Sequence, residues 1–360
     1  MDIESIREAI AQYQDPWMGC DLITAKAVKK IEILDEIPSI EIVLGYPGVS
    51  QREAILATLA KLIQTISDIH QVNIKLDWKI EPHAVQPPLR GLDNVKNIIA
   101  IASGKGGVGK STTAVNLALA LHAEGARTGI LDADIYGPNQ PQMLGIHDHP
   151  EITEQKKIVP LENHGLQSMS IGYLVDTHQP MIWRGPMVSK ALEQLLNDTL
   201  WNDLDYLVVD LPPGTGDIQL TLAKKVPVSA AVVVTTPQEV ALLDARKAYE
   251  MFKKVNVPVL GLIENMSLHT CSQCGHQEPI FGEGGGMRLA KEIDIELLGQ
   301  LPLDMSIRDN ADRGNPSVIA NPRGNIAKLY RDIALRLAAK LALRPKNLAL
   351  KFPKIVVEKS

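Results

Sequence analysis

The sequence predicts an α/β protein, a mostly parallel sheet flanked by helices, preceded by a small α+β domain. Three observations predict it. From Asn97 onward, short apolar runs alternate with helical patterns, as in a parallel sheet covered on both faces. Before residue 82 the order differs: a helix pattern, two strand-like runs, a second helix pattern and a third strand. Between the two, residues 82–96 carry Pro82, Pro87, Pro88 and Gly91, and proline blocks both helix and ladder bonding. The expected organisation is a small domain over 1–81, a linker over 82–96, the large domain over 97–345 and a tail over 346–360.

In the small domain, Ile3, Ile6, Ala9 and Ile10 recur at helical spacing, and Asp15-Pro16 stops that helix. Strands are expected from Val28 to Leu34 and from Ile40 to Leu44, around the turn-prone Asp35-Glu36-Ile37-Pro38. An amphipathic helix from Gln51 to Ile69 and a strand from Val72 to Leu76 complete the unit. Its 8 Lys/Arg against 13 Asp/Glu give 8 − 13 = −5, the formal charge of the whole chain. In the large domain, the run from Asn97 to Ala102 leads into a Gly-rich loop and a helix from Ala114 to Ala123. The strand from Arg127 to Leu131 ends in Asp132-Ala133-Asp134, and that from Tyr206 to Val209 ends in Asp210. L-P-P-G-T-G-D follows over 211–217. Further strands run from Ala230 to Val234 and from Val257 to Ile263, the latter ending at Glu264-Asn265, and a helix from Ile326 to Leu343 closes the domain. Open parallel sheets bind ligands at the carboxyl ends of their strands, so these polar residues converge beside the Gly-rich loop.

Composition excludes several classes. No run approaches 18 apolar residues and the start, Met1-Asp2-Ile3-Glu4, is acidic, so neither a spanning helix nor a secretory signal is expected. A net charge of −5 argues against a nucleic-acid scaffold. Three cysteines make no disulfide framework, which points to a reducing compartment, the cytoplasm. The partners expected are therefore neither nucleic acid nor membrane.

Ser103 to Thr113 reads S-G-K-G-G-V-G-K-S-T-T, and Gly104, Gly109, Lys110 and Ser111 satisfy G-x-x-x-x-G-K-[ST] between a strand and a helix. This is the phosphate loop of a P-loop NTPase. Its backbone N–H groups, over Gly104, Lys105, Gly106, Gly107, Val108, Gly109 and Thr112, cradle phosphate oxygens at a helix N-terminus. Lys110 bridges the terminal phosphates and the Ser111 hydroxyl ligates Mg²⁺. Asp210, after four apolar residues, fits the Walker B carboxylate that holds Mg²⁺. Asp134 is placed to orient the attacking water, with Asp132 a second partner. Gly214 and Gly216 give the segment after Asp210 the freedom of a switch loop. Lys105 is a second lysine inside the loop: it either reaches a partner's phosphates across a dimer or is a solvated surface residue.

Cys271-Ser-Gln-Cys274, flanked by His269 and His276, has the spacing of a soft-metal site. A cluster or a Cys₄ zinc site wants four thiolates and one chain offers two here, which a twofold axis would double. A Cys₂His₂ zinc site within one chain, or no metal, are the alternatives. Cys20 is expected to be a buried apolar residue.

Together, G-K-G-G-V-G-K-S-T-T, D-A-D-I-Y-G-P-N, D-L-P-P-G-T-G-D, E-N-M-S and C-S-Q-C resemble the Mrp/ApbC-type iron–sulfur cluster carrier ATPases, within the MinD/ParA class of deviant Walker A proteins. The resemblance implies a homodimeric ATPase that carries a bridging 4Fe–4S cluster on Cys271 and Cys274, accepts it from an assembly scaffold and passes it to apo iron–sulfur proteins. It implies that Lys105 acts in trans, that Asp134 serves hydrolysis and that Asn265 contacts the adenine. Leu301 to Asp304 and Arg308 look like the family's nucleotide-side loop. Residues 1–81 resemble the MIP18-like domain of some carriers, with Asp15-Pro16 and Asp21-Leu22-Ile23 matching its opening. The turn Tyr46-Pro47-Gly48-Val49-Ser50 lacks that domain's usual thiol, so partner docking rather than cluster handling is expected of the domain. The alternatives are a MinD/ParA-like positioning ATPase, suggested by the basic closing helix, and a zinc-stapled ATPase without cluster transfer.

Overall fold

The computed structural model describes residues 2–66, 69–175, 185–271 and 273–347. The expected tail lies outside the described residues from 348 on.

The small domain begins with α1 (Ile3–Ala11), N-capped by Asp2, whose carboxylate accepts the Ser5 N–H at 2.8 Å. A two-residue ladder, β1 (Gln14–Asp15) with β2 (Cys20–Asp21), precedes the hairpin of β3 (Val28–Leu34) and β4 (Ile37–Leu44). The hairpin turn is tighter than expected: only Asp35 and Glu36 form it, both at positive φ, and Pro38 lies inside β4. Proline is tolerated there because β4 meets its second neighbour only from Ser39. α2 (Arg52–Ile63) crosses over to β5 (Asn73–Trp78), which pairs parallel to β4. α2 ends six residues short of the expected Ile69, where the Thr65 hydroxyl donates to the Leu62 carbonyl at 2.6 Å.

The segment 82–96, expected to be a linker, is instead anchored, and β6 (Val95–Ala102) already claims its last residues. His83 bridges antiparallel to Lys346. The Gln86 amide donates to the Ala223 and Val226 carbonyls at 2.8 and 2.7 Å and accepts the Val228 N–H at 2.9 Å.

The large domain continues with α3 (Lys110–Ala123), β7 (Thr128–Asp132), α4 (Gln140–Leu144), β8 (Leu161–Asn163), β9 (Leu166–Ser170) and α5 (Gly185–Asn197). Then come β10 (Leu204–Asp210), α6 (Asp217–Lys225), β11 (Ala230–Thr235), α7 (Glu239–Lys254) and β12 (Val259–Glu264). A short hairpin of β13 (His269–Thr270) and β14 (Gln277–Glu278) is followed by α8 (Gly285–Glu292), β15 (Leu297–Gln300), α9 (Met305–Asp312), α10 (Ser317–Ala320) and α11 (Asn325–Ala342). Eight strands form one sheet in the order β15-β12-β11-β6-β10-β7-β9-β8, parallel except for the edge pair β8–β9. β6, β10 and β11 are apolar and buried along nearly their whole length, as strands covered on both faces must be. The order reverses beside β6, which puts the loop after it at the switch point where such sheets bind ligands.

The two domains share a packed junction. The Val49 and Ser50 N–H groups bond the Glu124 carbonyl and carboxylate at 3.2 and 3.0 Å. A Cβ on Gly125 would lie 2.8 Å from the Trp78 ring, and one on Gly45 2.8 Å from the Ala342 side chain. The Arg336 guanidinium lies 6.0 Å from the Trp17 ring centroid.

Candidate functional site

β6 runs straight into the loop at 103–109, and α3 starts on Lys110, so the loop's N–H groups and the helix dipole share one focus. Gly107 and Gly109 lie at φ of 81° and 83°, where a side chain is strained. Gly104 is glycine for another reason: a Cβ there would lie 2.1 Å from the backbone of Asp244 on α7. The loop encloses a cavity of about 470 Å³, reached by Ser103, Lys105, Ser111, Thr112, Asp134 and Tyr136 among others.

At its base the Lys110 ammonium is buried against two carboxylates. Nζ donates to Asp210 in a very close contact, lies 3.7 Å from Asp134 Oδ2, and donates to Ser111 Oγ at 3.2 Å. Asp210 and Asp132 are at the adjacent carboxyl ends of β10 and β7, in register. Burial raises the Asp134 carboxyl above its usual value, Lys110 opposes this and Asp210 adds to it. Asp132 is fully buried; that burial and the Asp210 charge push it well above the usual carboxylate range. Its oxygens accept the Asp134 N–H at 3.2 Å, the Gln140 N–H at 3.1 Å and the Ser170 hydroxyl at 3.1 Å. Asp132 therefore shapes the loop that carries Asp134 rather than facing the cavity.

Sequence reasoning passed over Gln140 and Tyr136. The Gln140 amide donates to the Ser111 carbonyl at 3.1 Å and to Asp210 Oδ2 at 2.8 Å, tying the phosphate loop to the Walker B strand. Tyr136 lines the cavity with its ring half exposed. Nothing in residue type marked either one: Tyr136 lies in the loop directly after Asp134, and Gln140 opens α4 at the end of that loop.

Lys105 is half-buried and has no ion-pair partner among the described residues. The Gly214 N–H bonds the Ser103 carbonyl at 2.9 Å, which joins the Gly-rich segment after Asp210 to the phosphate loop. Asn265 braces the loop from the other side: its amide donates to the Val108 carbonyl at 2.9 Å and packs against Gly109. Arg308 is paired with Asp309 at the surface.

Six residues beyond Asn265, the β13–β14 hairpin presents Cys271 half-buried and Cys274 exposed. Backbone N–H groups of Cys274 and Gln273 hold the Cys271 thiol below its ordinary value, helped by the Cys274 side chain and His269. The His269 ring bonds the Leu303 carbonyl through Nδ1 at 3.1 Å. Among the described residues no three His, Cys, Asp or Glu side chains converge as metal ligands, so the one-chain Cys₂His₂ arrangement is not formed. Cys20, expected to be buried, is half-buried at the end of the β1–β2 ladder, with its thiol raised by burial and by Asp21 and Asp15.

A phosphate loop at the switch point of a parallel sheet, with a strand-end carboxylate on its lysine, defines a P-loop NTPase. A family model described as "NUBPL iron-transfer P-loop NTPase" matches residues 94–338, and one described as "Iron-sulfur cluster assembly protein" matches residues 3–76. The chain belongs to this family of iron-transfer P-loop NTPases. It is 50% identical to the iron–sulfur cluster carrier protein of Salmonella typhimurium over 92% of this chain and 90% of that protein. The carrier protein of Pseudomonas fragi is 58% identical, over 77% of this chain and 97% of its own length. The iron–sulfur cluster transfer protein NUBPL of Mus musculus is 49% identical, over 72% and 82%. A solved nucleotide-binding protein of Archaeoglobus fulgidus, in complex with ADP, superposes with a TM-score of 0.58 at 33% identity, over 66% of this chain and 93% of its own. The cell division ATPase MinD of Pyrococcus furiosus shares the fold, with a TM-score of 0.51 at 23% identity over 67% of this chain and 98% of its own.

Proposed function

We propose that this chain is an ATP-hydrolysing iron–sulfur cluster carrier that acts in the cytoplasm as a homodimer. In this reading it holds a 4Fe–4S cluster as cargo between the Cys271 and Cys274 pairs of two copies. It receives the cluster from an assembly scaffold and delivers it to apo iron–sulfur proteins. One observation carries the reading: an accessible thiol pair, one member tuned toward thiolate, stands at a hairpin tip with only half of a cluster's ligands. An apolar surface adjoining the nucleotide site supports dimerisation. Val240 and Leu243 stay exposed on α7, the helix whose Asp244 backbone touches Gly104.

In hydrolysis, Lys110 exchanges its carboxylate partners for the β- and γ-phosphates as the loop N–H groups take the remaining oxygens. The Ser111 hydroxyl and the Asp210 carboxylate beside it are the hard oxygen set that Mg²⁺ prefers, and the ion supplies neutralisation of phosphate charge. Asp134, released from Lys110, orients the water that attacks the γ-phosphorus, and the bond to the bridging oxygen breaks to leave ADP and phosphate. Lys105 reaches the partner copy's phosphates. The positioning alternative has less support. The apolar face of α11, through Tyr330, Ile333, Leu337 and Leu341, is buried within the domain, and no described helix is long and apolar enough to cross a membrane.

The test is anaerobic reconstitution followed by visible spectroscopy and metal analysis. About four irons per dimer are expected. Cys271→Ala or Cys274→Ala should lose them while hydrolysis persists, and Cys20→Ala should keep both. Full iron retention in Cys271→Ala, or zinc in place of iron, would overturn cluster carriage. Lys105→Ala mixed with an inactive partner should change turnover; no effect at any ratio removes action in trans.

A further inference from the structure

Where the small domain meets the end of α11, a cavity of about 350 Å³ opens, the size of a small organic ligand. It lies apart from the phosphate loop and from the cysteine hairpin. Lys26 and Lys29 reach it from the small domain, Lys79 from beyond β5, and Arg344 and Lys346 from beyond α11. Glu81 is the one carboxylate among the cavity's lining residues, and it is paired to Lys79 at 3.2 Å. The other four cations have no ion-pair partner among the described residues. This departs from the surroundings, since residues 1–81 carry the chain's entire excess of acid.

A second, independent observation comes from His83, which lines the same cavity and is 3% exposed. Its Nδ1 lies 2.9 Å from Asn97 Oδ1. That oxygen also accepts the His83 N–H, while Asn97 Nδ2 donates to the Glu81 and Asp205 carbonyls, which fixes the amide's orientation. Nδ1 is therefore the protonated nitrogen. Nε2 on the other side of the ring is buried without a hydrogen bond of ordinary geometry, the Ala342 carbonyl being the further protein acceptor that acts on the ring, and a ligand in the cavity would complete it. Burial holds the imidazole below its ordinary value and Lys346 adds to this, while Asn97, the Ala342 carbonyl and Glu81 oppose it. An anion alongside would favour a proton on Nε2 and give it a partner.

We propose that this junction binds a small polyanion, a compound with two or more clustered phosphate or carboxylate groups, which clamps the small domain to the end of α11. Lys26, Lys29, Arg344 and Lys346 come to one cavity from both domains with no carboxylate paired to them among the described residues, so they repel one another across the junction and an anion between them would draw the two sides together. A ligand that needs both sides favours the docked arrangement by mass action.

The experiment titrates the full chain with pyrophosphate and, separately, with citrate by calorimetry, with ADP saturating so that the phosphate loop is filled. The expected result is saturable one-site binding by at least one of them, weakened by salt, with a higher unfolding midpoint. Pyrophosphate alone would assign phosphate chemistry, and citrate alone carboxylate chemistry. The double variant Lys26→Glu with Lys346→Glu changes two exposed side chains. It should bind at least about tenfold more weakly, the scale of two lost charge-assisted contacts, with ATP hydrolysis in the absence of the anion unchanged. No saturable binding of either probe, or equal affinity in the charge-reversed variant, would overturn the proposal.

Discussion

Lys110 is paired with Asp210 and Asp134, and the proposed role on the β- and γ-phosphates asks the same ammonium to serve a second set of partners. Lys110→Ala should abolish tight ATP binding in a fluorescent-nucleotide titration and leave two carboxylates facing each other. Asp134→Ala should keep binding but cut phosphate release by about 10²–10⁴-fold, the usual worth of a placed proton acceptor. Hydrolysis by that variant at the parent rate would remove Asp134 from the mechanism. Gly104→Ala tests the backbone alone. Its methyl group would collide with Asp244, and thermal unfolding should show a loss of about 1–3 kcal/mol. The thiols give a pH signature. Cys271 lies below its ordinary value, so its thiolate persists to lower pH, whereas the raised Cys20 needs higher pH to ionise. Iodoacetamide labelling followed by mass spectrometry at neutral pH should modify Cys271 well before Cys20, and equal rates would contradict the hairpin's influence. The phosphate-loop residues were legible in the sequence because each is fixed by a local rule: a positive φ, a helix start, a strand-end carboxylate. Gln140 was not, because its role depends on Ser111 and Asp210 meeting it from two other elements.

At the scale of elements, the parallel strands were read well because strands covered on both faces are unbroken apolar runs. The edge pair β8–β9 and the four-residue β15 escaped notice, being short and only partly apolar. The connector is the instructive miss. Its prolines keep helix out of the segment, yet they say nothing about anchoring: His83 still bridges to Lys346, and Gln86 makes three hydrogen bonds to the end of α6 and the turn after it. Gln86→Ala would remove all three bonds and leave the Val226 carbonyl and the Val228 N–H only their 2.9 Å bond to each other. A loss of about 1–3 kcal/mol in chemical denaturation is expected, with no change in hydrolysis. An unaltered midpoint would mean that water replaces the amide.

Between the two domains, the turn from Tyr46 to Ser50 of the small domain docks on this chain's own large domain. That contact falls on Glu124, the residue on which α3 ends, and α3 begins at Lys110 in the phosphate site. Fourteen helical residues span roughly 21 Å. The helix is buried through most of its length and packed on α11, so it behaves as a stiff rod with a phosphate grip at one end and a domain at the other. A small tilt imposed where ATP is held therefore arrives at the small domain as a displacement, with no flexible joint between to absorb it.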